Sequence, residues 1–204
     1  MKHRIGIDLG GTNIAAGIVA PDGTVTHKYS AKTDTASESS VIGGMAAAVR
    51  GLMNECSLTT DDIEMLGVAC PGIVNGERGI VEFSANLPLV NTNITAMLSE
   101  LTHIAPDRIR TANDADAAAL GEYRAGAGRG TREFLMMTIG TGIGAGYIND
   151  GQILTGHNHA GGELGHIVIV FDGEPCGCGR RGCAERYCSA TALVRMTKAA
   201  IAEC

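Results

Sequence analysis

Apolar and polar positions alternate from the start of the chain. Arg4, Ile5, Gly6, Ile7, Asp8 and Leu9 read as a strand with one apolar face, and after Gly10, Gly11 and Thr12 a second apolar run, residues 14–19, reads as its neighbour. Pro21, Asp22 and Gly23 make a turn, and residues 25–29 a third strand, which predicts an antiparallel meander with glycines at one tip. The same order recurs later: residues 134–139, then Gly140, Thr141, Gly142, Ile143 and Gly144, then residues 145–148, an Asn149-Asp150-Gly151 turn, and residues 152–154. Strand, glycine tip, strand, turn and strand therefore occur twice, the mark of an internal repeat.

The stretch between the copies mixes helical and extended patterns. Thr35 to Glu38 has capping-box spacing and predicts a helix over 39–56, against which Gly43 and Gly44 count. Residues 65–70 predict a short buried strand stopped by Pro71-Gly72, and residues 73–90 a loop-rich region centred on Ser84 to Pro88. Thr92 or Asn93 can cap a helix that reaches His103. Residues 108–112 predict another strand, after which Asn113, Asp114, Ala115 and Asp116 open a helix over 115–127. Residues 167–171 read as a buried strand, and the chain after Ser189 as a helix carrying Leu193, Met196, Ala200 and Ile201. The class is α/β.

Composition narrows the chemistry. A chain of 204 residues with 45% hydrophobic content holds one large domain or two small ones. Its 29 glycines, about twice the usual share, lie singly or in pairs between apolar runs, which points to tight turns and close backbone approaches. Only 3% of residues are aromatic and the net charge is −6, so neither a base-stacking platform nor a basic face for nucleic acid is expected. No apolar run reaches the length of a membrane span. The odd count of seven cysteines, with no charged-then-apolar leader at Met1, points to a reducing cytoplasm.

Three groups of residues carry candidate chemistry. A glycine tip can offer backbone N–H groups to phosphate oxygens, since glycine has no Cβ to hold the ligand away; a single Gly-Gly-Thr is equally at home in a structural hairpin, and the second copy is what favours phosphate. Asp114 and Asp116 stand at a helix start, where a carboxylate either caps the helix or serves as a base. The third group is the densest: His166, nine residues, Cys176, one residue, Cys178, four residues, Cys183. Cys₃His is a closed ligand set for structural Zn²⁺, and the interleaved glycines permit the necessary turns. With those four positions filled, His157 and His159 read as loop residues and Cys188 as a helix-face thiol.

Glu163-x-x-His166 followed by Cys176-x-Cys178-Gly179-x-x-Gly182-Cys183-x-Glu185 resembles the signature of the ROK family of sugar kinases and sugar-responsive repressors. Asp8, Gly10, Gly11 and Thr12 match the first phosphate loop of the actin-like ATPase (ribonuclease H-like) fold. The resemblance implies two lobes around a cleft, residues 1–113 and 114–204, the second incomplete because family members run roughly half as long again and carry an adenosine-binding turn beyond the matching part. It implies that Asp114 is the catalytic base of an ATP-dependent hexose kinase. Gly72, Asn86, Asn113, Asp114, Glu163, His166 and Glu185 would then line the sugar pocket, and Asp8, Gly10, Gly11, Thr12, Asn13, Gly140, Thr141, Gly142 and Gly144 the nucleotide site. Mg²⁺ at Asp8, structural Zn²⁺ and a homodimer follow from the same resemblance. Two positions depart from the pattern: Asn13 stands where the family often has Lys, and Asp116 where it has Asn, so that a second carboxylate could raise the pKa of Asp114. Glucose is the expected acceptor, with N-acetylmannosamine, fructose and allose kinases sharing the constellation. A catalytically inactive sugar-binding module is the rival class; a repressor would need a DNA-reading domain ahead of the first strand, for which Met1 is expected to leave no room.

Overall fold

The computed structural model describes residues 2–203, so the outer ends of the two expected lobes, Met1 and Cys204, lie outside the described residues. The chain divides into two compact units, Met1–Ala117 and Ala118–Cys204.

The first unit opens with β1 (His3–Leu9), β2 (Asn13–Val19) and β3 (Val25–Lys32), paired antiparallel as the alternation predicts. Ile5, Ile7 and Leu9 of β1 and Ile14, Ala16 and Ile18 of β2 all face inward. Over them lies α1 (Glu38–Glu55), whose buried positions, among them Val41, Ile42, Met45, Val49 and Leu52, form the apolar stripe of an amphipathic helix. The chain then returns as β4 (Ile63–Cys70), parallel to β1. After β5 (Ile73–Asn75), β6 (Ile80–Phe83), β7 (Val90–Asn93) and α2 (Ile94–Thr102) comes β8 (Ile109–Asn113), parallel to β4. The sheet order is β3-β2-β1-β4-β8, a meander extended by two parallel crossovers, which is the actin-like ATPase arrangement. α3 (Asp114–Ala125) follows directly, and the division between the units falls inside it, so Asn113 and Asp114 both belong to the first unit.

Three local expectations change. α1 is capped by Ser37, whose Oγ accepts the Ser40 N–H at 3.1 Å, rather than by a box at Thr35. Asp34 accepts the Ala36 N–H at 3.0 Å and holds the preceding residues in a turn, which shifts the helix start. Gly44, unfavourable by propensity, faces β2: a Cβ there would stand 2.9 Å from Ile14 Cδ1. Residues 73–90 are not mainly loop, because β5, β6 and β7 form a three-stranded antiparallel sheet of their own. Strands of three or four residues are too short for alternation to show.

In the second unit β9 (Glu133–Ile139), β10 (Ile143–Asn149) and β11 (Gln152–Ile153) repeat the meander, with β10 central. The turn between β10 and β11 has positive φ at both Asp150 (49°) and Gly151 (79°), the hairpin geometry that matches strand twist. α4 (Glu185–Cys188) is a single turn, and α5 (Ala190–Ala202) starts at Ser189, whose Oγ accepts the Ala192 N–H at 3.1 Å. The expected strand over 167–171 is absent. Val168 makes one isolated bridge to Cys183, while Ile169 and Val170 both donate to the Gly182 carbonyl, so the segment has a glycine loop and no strand beside it. Its apolar side chains lie open, Phe171 at 96% exposure.

The two units differ in core. The continuous cluster of buried apolar residues runs from Ile5 to Ile109, all in the first unit. Among the described residues of the second, Ile143 and Ile148 are the only large aliphatic or aromatic side chains that are buried. No helix of the described residues is long and apolar enough to cross a membrane.

Candidate functional site

In the first unit the parallel register brings the chemistry to one edge of the sheet. Asp8 pairs with Ala69, Ala69 with Ala112, and Cys70 with Asn113. Asp8, Cys70 and the Asn113-Asp114 pair therefore stand at the carboxyl ends of three neighbouring parallel strands, where ligands of open α/β sheets bind.

Asn113 organises the edge. Its Oδ1 accepts the N–H groups of Ala115 (2.8 Å) and Asp116 (3.2 Å), capping α3, and its Nδ2 donates to the Gly72 carbonyl at 2.9 Å. Gly72 has φ +111°, and a Cβ there would run into the Phe83 carbonyl, so this turn requires glycine. Asp114 is the first residue of α3, and its Oδ1 shares the Ala115 N–H at 2.9 Å. Its carboxyl is surface-accessible, yet desolvation by the surrounding protein lifts its pKa above the ordinary value, and the charge of Asp8 lifts it further against the hydrogen bond from Ala115. The second carboxylate acting on Asp114 is thus Asp8. Asp116 is buried and does not figure among the causes of the shift. Between them Cys70, completely buried, is pushed up to about 12 by desolvation and then by the charges of Asp114 and Asp8, so it is a neutral thiol. Sequence reading missed Cys70; its position at a strand end before Pro71-Gly72 was the available signal.

The first glycine tip is tied back on itself. Gly10 N–H donates to the Asn13 carbonyl at 2.9 Å, and Thr33, the residue after β3, closes it through its hydroxyl to Gly10 O (2.7 Å) and its N–H to Thr12 O (2.9 Å). Gly11, Thr12 and Asn13 are exposed, and a Cβ on Gly11 would lie 3.7 Å from Asn86 Cβ, so the tip and the Asn86 loop are adjacent. Buried Leu87 and Leu89 anchor that loop.

In the second unit Gly140 N–H donates to Gly142 O at 3.0 Å, Gly144 N–H to the Thr138 hydroxyl at 3.2 Å, and Ile143 N–H to Glu185 Oε2 at 3.0 Å. Thr141 is exposed at the tip. The segment from Gly161 runs close along β10: a Cβ on Gly162 would stand 3.0 Å from Ala145 O, and one on Gly165 would strike Ile143 O. Its glycines are therefore what bring exposed Glu163 and half-buried His166 alongside the strand that follows the tip. The backbone from 164 to 166 makes one 3₁₀ turn, closed by His166 N–H on Glu163 O at 3.0 Å.

His166, Cys176, Cys178 and Cys183 converge as the spacing predicts. Their ligand atoms all lie within 4.8 Å of one another, with His166 Nδ1 3.5 Å from Cys176 Sγ and Cys178 Sγ 3.7 Å from Cys183 Sγ. Bonds of ~2.3 Å to sulfur and ~2.0 Å to nitrogen, arranged tetrahedrally, give edges of about 3.5–3.8 Å, so the donor set fits Zn²⁺. A positive φ at Gly179 (86°) and Gly182 (75°) turns the loop, and Cys176 N–H donates to Arg180 O at 2.8 Å. Burial is the largest single influence on Cys178 and raises it, but hydrogen bonds from Arg180, Cys176 and Cys183 together outweigh it and bring the thiol down to about 6. Burial pushes Cys183 up to about 11. One sulfur is thus readily a thiolate while its neighbour keeps its proton, a balance a divalent cation would tip by displacing protons. The loop is braced by Tyr187, whose hydroxyl accepts the Glu174 N–H at 2.8 Å. His157, His159 and Cys188 stay outside the four-ligand group.

The family model described as "ROK family" matches residues 4–204. The chain is 38% identical over 196 residues to a glucokinase of Thermotoga maritima, covering 95% of this chain and 59% of that one. It is 30% identical over 202 residues to an N-acetylmannosamine kinase of Vibrio cholerae, covering 98% of this chain and 67% of that one. Among solved structures, a ROK family glucokinase from Streptomyces griseus in complex with glucose and AMPPNP superposes with a TM-score of 0.84 at 35% identity, covering 97% of this chain and 60% of that one. The chain therefore spans about three fifths of the length of the glucokinases it matches. With its meander repeated, its Cys₃His loop formed and its whole length matched from Arg4 onward, the chain belongs to the ROK family.

Proposed function

We propose that the chain carries the base, the two phosphate tips and most of the sugar-reading groups of an ATP-dependent hexose kinase, with glucose the favoured acceptor. The observation that carries this reading is Asp114: a carboxyl at the head of α3, beside Asp8, with its pKa raised toward the range useful to a general base. Asp114 takes the proton of the sugar's primary hydroxyl as that oxygen bonds to the γ-phosphorus and the bond to the β-phosphate oxygen breaks, releasing ADP. Positioning and charge neutralisation do the rest. Gly10, Gly11, Thr12 and Asn13 of one tip, and Gly140, Thr141, Gly142 and Gly144 of the other, offer backbone and hydroxyl donors to the phosphates. Mg²⁺ held through water at Asp8 would supply countercharge.

Asn86, Asn113, Glu163, His166 and Glu185 hydrogen-bond the ring hydroxyls, with Gly72 shaping the turn beneath Asn113. A site built so rejects an analogue lacking a hydroxyl, because the partner is left unpaired. Zn²⁺ on His166, Cys176, Cys178 and Cys183 would fix the loop, and Nδ1 of His166, which faces Cys176, would be its nitrogen ligand, leaving Nε2 for the sugar. The higher identity to a glucokinase, 38%, than to an N-acetylmannosamine kinase, 30%, favours glucose. A dimer working in the reducing cytoplasm completes the reading. A coupled ADP-release assay over a hexose panel tests it: turnover is expected to be highest with glucose. Sugar binding with no ADP release from any hexose would instead establish the inactive module.

A further inference from the structure

The metal loop and the second glycine tip are joined by a path of very few residues. Two positions after Cys183, Glu185 places Oε2 3.0 Å from the Ile143 N–H, at the far side of the tip. Five positions further on, Ala190 donates its N–H to the Gly140 carbonyl at 2.9 Å, at the near side. One short segment thus grips both sides of the tip, by a carboxylate that takes the Ile143 amide and an amide that feeds the Gly140 carbonyl. The same segment is fastened to the metal loop at its start, where Ala184 N–H donates to Ile167 O at 2.9 Å, the residue after His166. Gly142 is the complement to this grip, since a Cβ there would collide with Glu185 Oε2. Among the described residues Glu185 Oε1 has no hydrogen bond. Its half-buried carboxylate can hold the tip with one oxygen and still present the other to a ligand.

We propose that Glu185 is a positioning residue through which the state of the Cys₃His loop sets the order of the Gly140–Gly144 backbone, so that metal loading governs the phosphate tip as well as the sugar-reading face. The ligand assigned to the tip rests on the kinase reading; the mechanical link does not. The link needs reach and an acceptor oxygen, and it does not need charge.

Backbone hydrogen exchange of the zinc-loaded chain, followed on peptides covering 140–144 with no substrate present, separates these requirements. Glu185→Gln keeps the acceptor at the same reach and is expected to leave the tip as protected as in the wild type. Glu185→Asp keeps the charge, loses one methylene of reach, and is expected to speed exchange about ten-fold, the scale of one hydrogen bond. Chelation of the metal is expected to speed exchange at the wild-type tip, with a smaller further gain in Glu185→Asp, where the link is already cut. The proposal is overturned if Glu185→Asp protects the tip as well as the wild type, if Glu185→Gln is as loose as Glu185→Asp, or if chelation leaves the wild-type tip unchanged. Loosening in Glu185→Asp that extends equally through β9 and β10 also overturns it. Absence of ADP release would sink the kinase reading and leave every one of these outcomes readable.

Discussion

Asp114 concentrates two opposing demands on a single carboxyl. Its raised pKa means that the folded chain binds this proton more tightly than the unfolded chain does. The stability it contributes is full below the ordinary carboxylate pKa and is lost as pH rises through the raised value. At neutral pH the ionised group therefore opposes folding while being the form that can accept a proton. Asp114→Asn is expected to lower kcat by about 10²–10⁴-fold, the usual worth of a general base, while raising Tm near pH 7; a variant that loses activity and stability together would show a structural role instead. For the same reason the acid limb of kcat/KM is expected above the range of an unperturbed aspartate. Asp8→Asn removes the neighbouring charge, so in whatever turnover remains that limb should move to lower pH. Asn113-Asp114 was legible because a motif and a helix start coincide there. Asp8 was legible as a phosphate-loop residue, but its action on Asp114 and the place of Cys70 beside them were not, since only the parallel register of β1, β4 and β8 brings together residues so far apart in sequence.

Helices and strands obeyed their periodicity where they were long and two-faced, and departed from it where they were short. The meanders, α1 and α5 could be read from spacing alone, but β5 to β7 and residues 167–171 could not. An apolar run states a preference for burial without saying whether a neighbour exists to provide it, and at Ile167 to Phe171 none does among the described residues. The glycines of α1 show the complementary case. Gly43 would meet nothing within 4 Å on gaining a Cβ, whereas Gly44 would meet Ile14 Cδ1 at 2.9 Å. Gly43→Ala is expected to stabilise the first unit by about 0.5–1 kcal/mol, read as a rise in Tm. Gly44→Ala should gain less or lose, because the helix must lift from β2 or Ile14 must change rotamer. At the head of α3, Asn113→Ala removes a cap worth ~1 kcal/mol and frees the Gly72 turn together. Loss of stability without any rise in KM for glucose would show that the amide serves the fold alone.

At the scale of the whole molecule, the first unit has a continuous apolar core, while the second has few large buried side chains among the described residues and gathers four potential metal ligands in one loop. Chelation, or Cys178→Ser, is expected to abolish zinc and sugar binding together and to expose residues 118–204 to protease while the first unit stays resistant; sugar affinity retained without zinc would break the link. The four ligands were legible because they lie within eighteen residues, but the grip of Glu185 on the tip depends on a fold that returns the chain to β10. Tyr187, which braces that loop through the Glu174 N–H, lies in a protein with four tyrosines and no tryptophan. With no indole to mask phenol emission, the loss of that bond should be visible as a change in ultraviolet fluorescence, giving the metal loop an optical readout without any added dye.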